Sequence, residues 1–63
     1  MELPIRLDQY LKHVGIAQTG GHAKIIIQGG EVKVNKVLET RRGRKLNEGD
    51  VVVVEDKRFV VSS

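Results

Sequence analysis

Residues 23–38, AKIIIQGGEVKVNKVL, change their hydrophobic period halfway along. Ala23, Ile26 and Ile27 fall at i, i+3 and i+4, the spacing of one helix face. Val32 and Val34 instead alternate with Glu31, Lys33 and Asn35, the period of a strand with one buried side. Gly29-Gly30 stands at the break, where glycine ends a helix and lets the chain turn away. A helix delivered directly into a half-buried strand puts helix and sheet in one small chain. Asn35-Lys36 then reads as a two-residue turn into Val37-Leu38-Glu39, with Asn better suited than Lys to positive φ.

On the N-terminal side, Pro4 keeps Met1 to Ile5 extended or turned, and a helix begins after it. Leu7, Tyr10, Leu11 and Val14 form its apolar stripe at i, i+3, i+4 and i+7. Arg6, Gln9, Lys12 and His13 take the wet side. Asp8 lies in the first turn, where the helix dipole favours an acid, and Gly15 is placed for a left-handed cap. Thr19 is the expected N-cap of the second helix. Two short N-terminal helices have apolar faces too small to bury one another, so a sheet must cover them. On the C-terminal side, Thr40 to Lys45 reads as a loop and Leu46 as its apolar exit. Glu48-Gly49-Asp50 is turn chemistry. The run Val51 to Val54 predicts a strand buried on both faces or crossing under the helices. Asp56-Lys57 turns the chain again, and Arg58 to Val61 pairs back as the last strand.

Sixty-three residues allow a single domain, spanning 1–63. Ten valines and five isoleucines argue for a packed core, and the lack of cysteine excludes disulfides and thiolate metal sites. Apolar runs no longer than Val51 to Val54 fall far short of the roughly 20 residues that span a bilayer. Met1-Glu2-Leu3-Pro4 does not read as a signal peptide, so a cytoplasmic location is expected. His13 and His22 lack partners at ligand spacing, and no nucleophile, acid and base group together, so neither metal binding nor catalysis is expected.

The charge is uneven. Lys33, Lys36, Arg41, Arg42, Arg44 and Lys45 face the single acid Glu39 between residues 33 and 45, a local charge of +5 in a chain whose total is +3. Arginine's planar fork suits bidentate contact with phosphate, which makes this stretch a candidate nucleic-acid contact. The competing reading is a run that only keeps a small domain in solution. Gly20-Gly21-His22, after Thr19, leaves bare amides at a helix start, fit either for an anion or for close packing on the sheet. With Tyr10 and Phe59 the only aromatics, stacking on splayed bases is disfavoured and the backbone of folded RNA is favoured.

Arg6-Leu7-Asp8-Gln9-Tyr10-Leu11, Gly15, Thr19 to Lys24, Gly29 to Asn35 and Glu48-Gly49-Asp50, in that order, resemble the RNA-binding domain first described in small-subunit ribosomal protein four, the S-four or alpha-L domain. Within it, Gly20-Gly21-x-Ala23-Lys24 and Arg41 to Leu46 are similar to the small free-standing bacterial proteins called YbcJ-like or YaaA-like. The resemblance implies a compact α+β fold with two short helices on a small bent antiparallel sheet, structured RNA held by the helix start and neighbouring loops, and no enzymatic activity. Many members carry Ser-Arg where this chain has Gly20-Gly21. Phosphate contact then falls to Lys24, His22, the amides and the basic loop. The expected RNA-binding set is Arg6, Gly20, Gly21, His22, Lys24, Lys33, Lys36, Arg41, Arg42, Arg44 and Lys45. The implied partner is structured ribosomal or transfer RNA, and through it the ribosome. No membrane, cofactor or metal is implied, and a monomer is expected. The alternative is a protein adaptor whose basic loop meets an acidic surface.

Overall fold

The computed structural model describes all 63 residues. Its elements run β1 (Ile5–Arg6), α1 (Leu7–His13), α2 (Gly20–Gln28), β2 (Val32–Val34), β3 (Val37–Leu38), β4 (Lys45–Leu46), β5 (Val51–Val54) and β6 (Lys57–Val60). Four strands form one antiparallel sheet in the order β3-β2-β5-β6, and β1 pairs with β4 as a separate two-stranded sheet. The α+β expectation holds, with two sheets rather than one.

The helices lie on one face of the larger sheet. Leu7, Tyr10 and Leu11 from α1 and Ala23, Ile26 and Ile27 from α2 share a core with Val32, Val34, Val52, Val54, Leu46 and Val61. Tyr10 meets Phe59 of β6 edge to face, with ring centroids 6.4 Å apart, which ties α1 to the far side of the sheet. The period-2 pattern of β5 is visible in its burial. Val52 and Val54 are buried, while Val51 and Val53 are only half-buried on the face the helices do not cover. Of the two expectations for this run, a strand crossing under the helices holds and one buried on both faces does not, because no further layer covers the second face.

The turns follow local chemistry with one shift of register. Gly15 has φ +84 after α1, and Thr19 Oγ1 accepts the His22 N–H at 3.0 Å as the N-cap of α2. Asn35 and Lys36 have φ 51 and 71, the paired left-handed angles of a tight hairpin, and the Asn35 side chain ties this turn to Asp50 and to the Val51 N–H. The last hairpin turns at Glu55-Asp56, with φ 55 and 62, one residue before the expected place, so Lys57 belongs to β6. Register decides this: Val54 pairs with Lys57, leaving two residues between the strands.

Candidate nucleic-acid interface

The loop expected from Thr40 to Lys45 is a strap lying across the start of α1. No side chain caps that helix, and Arg6 is its N-cap residue. The orphan amides of the first turn are met instead by strap carbonyls: the Leu7 N–H donates to Arg44 at 2.8 Å and the Asp8 N–H to Arg42 at 3.1 Å. The strap then enters β4, where Lys45 pairs with Arg6 and Leu46 with Ile5. Leu46 is fully buried and fixes this end in the core. The β1–β4 pairing was not foreseen, because two-residue strands carry no readable period.

The strap arginines divide between two acids. Asp8 Oδ2 accepts from Arg42 Nε and from Arg6 Nη2, both at 3.0 Å. Glu39 accepts four times: from the Arg41 N–H, Nε and Nη2, each at 3.0 Å, and from Arg44 Nη1 at 2.9 Å. These two are the only buried charged residues of the chain, at 4% and 6% exposure. Hydrogen bonds from the Arg41 side chain and amide hold the Glu39 carboxyl down from 4.5 to about 2, and Arg44 adds to the effect against the opposing influence of burial. Arg41 is pushed up in turn by Glu39. Asp8 therefore does more than complement a dipole, and Glu39 is a hub rather than a stray acid. Neither was expected in the site; the only signal was a lone acid within a basic run.

The guanidiniums remain able to bind more. Arg41 keeps 73% of its side chain exposed, Arg6 44%, Arg42 37% and Arg44 30%. Arg42 uses only Nε, Arg44 only Nη1 and Arg6 only Nη2, so each fork retains outward N–H donors. Four guanidiniums and two carboxylates leave a net +2, before Lys45 is added.

The start of α2 adjoins this array. A Cβ built on Gly20 would lie 3.4 Å from Arg42 Nη2, so the helix begins against that guanidinium. Thr19 takes up the N–H groups of His22 and Ala23, which leaves the Gly20 and Gly21 amides as helix-start donors. Lys24 is exposed and lies four residues after Gly20, on the same side of the helix. His22 is exposed, and its Nδ1 accepts the Gln18 N–H at 3.3 Å, so it stiffens the turn before α2.

The expected set thus splits. Arg6, Gly20, Gly21, His22, Lys24, Arg41, Arg42, Arg44 and Lys45 lie about the two helix starts. Lys33 lies on the open face of β2, away from the helices, in register with Leu38 and Val53. Lys36 sits in the hairpin turn, at the end of β2 opposite to Glu39, whose N–H bonds to Val32. The two residues of β3 separate Glu39 from Lys36, three steps of extended chain or about 10 Å. Gly43, within the strap, is not among the residues of positive φ. No group of three or more His, Cys, Asp or Glu is placed to hold a metal ion, and no helix is long and apolar enough to cross a membrane.

A family model described as the S4 domain matches residues 2–62. The chain belongs to the S4 domain family. This S4 domain is also 49% identical over 51 residues to the probable ribosome maturation protein RlbA of Bacillus subtilis (strain 168), a match covering 81% of this chain and 72% of that protein. The matched span of the S4 domain contains both helix starts, the strap and both buried acids.

Proposed function

We propose that this S4 domain is a non-catalytic, ribosome-associated RNA-binding protein that grips the phosphate backbone of a structured RNA, ribosomal or transfer, as a cytoplasmic monomer. Family membership and the ribosome maturation role named for its relative support the general role. The observation that carries the grip is the strap: its Lys45 pairs with Arg6, its Arg42 shares Asp8 with Arg6 and stands against Gly20 of α2, and its Arg41 and Arg44 gather on Glu39. Arginine forks and helix-start amides are both phosphate ligands, and neither reads base identity, so shape and backbone would set the selectivity. Lys33 and Lys36, on the open sheet face and its turn, would meet RNA only as a second contact.

The test is a titration of a hairpin RNA at several salt concentrations, with the parent and the triple variant Arg41→Gln, Arg42→Gln, Arg44→Gln. Each lost phosphate contact lowers the logarithmic salt slope by about 0.7 to 0.9, so slope and affinity fall together. Lys57→Gln with Arg58→Gln, two charges removed from β6, serves as the control and leaves the slope nearly unchanged. A folded triple variant with unaltered slope would refute the grip, and tighter binding to an acidic protein than to the hairpin would favour the adaptor reading.

A further inference from the structure

A surface built only to attract a polyanion would not place two carboxylates among its cations, since each cancels a unit of the charge that drives binding. Here Asp8 and Glu39 are the only buried charged residues, and every arginine of the strap ends on one of them. Stability by itself does not explain the arrangement. Glu39, bound four times, does stabilise the fold as a carboxylate, but Arg41 is 73% exposed, and so exposed a chain gives up rotamer freedom for little gain of its own. What the pairs do supply is geometry. The neighbours Arg41 and Arg42 turn to different acids, and Arg44 returns to the first, so the guanidiniums stand in two groups of two, each group around one carboxylate. The outward donors are fixed before any ligand arrives.

We infer that Asp8 and Glu39 are specificity-determining positioning residues, which give up charge in order to hold Arg6, Arg41, Arg42 and Arg44 as a rigid array that discriminates structured RNA from flexible polyanions. This rests on the RNA-binding reading and deepens it. A rigid array gains where the phosphates are themselves held at fixed spacing, as in an A-form stem, because neither side has to be ordered on binding. A flexible single strand adapts to any set of cations, and for it only the total charge counts. Removing a carboxylate therefore acts in opposite directions on the two ligands: it adds net positive charge but releases the forks.

The experiment compares a hairpin RNA with a poly-uridine oligomer of equal charge, titrated into the parent, Glu39→Gln and Asp8→Asn at matched salt. The expected result is tighter binding of poly-uridine and weaker binding of the hairpin by both variants, a loss of selectivity of about tenfold for Glu39→Gln. Arg41→Lys provides a variant of unchanged charge at an exposed position. It removes the bidentate hold on Glu39 without touching the core, and it too lowers the hairpin preference. If both ligands bind the acid-free variants more tightly in the same ratio as the parent, the acids only dilute charge and the inference falls. Equal weakening of both ligands, together with unchanged selectivity in Arg41→Lys, assigns the acids to folding alone and overturns it as well. A parent without any hairpin preference defeats the RNA reading itself, and this inference with it.

Discussion

Arg41, Arg42 and Arg44 each end on a carboxylate, whereas Lys57 and Arg58, at the start of β6, end on none. Both segments are basic and reach solvent, and both flank a turn. The strap, however, is tied at both ends: its carbonyls take the first amides of α1, and Leu46 carries it into the core. The β6 cations instead follow a tight turn at Glu55-Asp56 on an edge strand, where Lys and Arg discourage pairing with another sheet. The difference is one of arrangement rather than of cation density: buried acids gather the strap arginines, and no acid pairs with Lys57 or Arg58.

The largest effect that would sharpen this contrast lies beneath the charges. Leu46→Ala removes a fully buried side chain from the end of the strap and should cost about 2 to 5 kcal/mol, whereas Val60→Ala, on β6, should stay within about 0.5 kcal/mol. Urea melts measure both, and similar midpoint shifts would break the comparison. Leu11→Ala, in the core stripe of α1, belongs with Leu46 at about 2 to 5 kcal/mol.

Acid should separate the segments next. The Glu39 carboxyl is held down from 4.5 to about 2 in the folded chain, so its contribution to stability is fully present above the unfolded value. That contribution disappears as pH falls from about 4.5 through about 2. Asp50 is lowered as well, by the Asn47 amide first and then the Asn35 side chain, and adds a loss of the same sign. Thermal melts between neutral pH and pH 2 should therefore fall steeply for the parent and less steeply for Glu39→Gln, which keeps the Asp50 share but not that of Glu39. Parallel curves would show that Glu39 is not bound as tightly as its four contacts indicate.

The smallest expected effect is at the junction of the strap with α2. In Gly20→Ala the new methyl meets Arg42 Nη2 at 3.4 Å, an ordinary contact, so the melting temperature should stay within the equivalent of about 0.5 kcal/mol. A drop of several degrees would mean that the helix start and the Arg42 fork are packed more tightly than this contact implies.

Much of the scaffold was legible from the residues. The stripes of α1 and α2, the Thr19 cap, Gly15 and the Asn35-Lys36 turn all follow local rules, because each depends on neighbours within a turn or two of chain. The Glu39 to Arg41 contact is almost as local, only two residues apart, and the lone acid in a basic run could have suggested it.

What the sequence by itself determined is therefore the alternation of helical and strand periods, the concentration of cations between Lys33 and Lys45, and the family to which those motifs point. Tertiary structure alone decided which of these cations stand together. Asp8 and Arg42 meet across 34 positions of sequence, and Lys45 finds Arg6 only through strands too short to show a period. The same folding sends Lys33 and Lys36 away, since alternation fixes Lys33 to the sheet face opposite the helices and the tight turn carries Lys36 to the far end of β2. Charge can be counted along a chain, but a charge array is a matter of distances, and those are set by how the core closes.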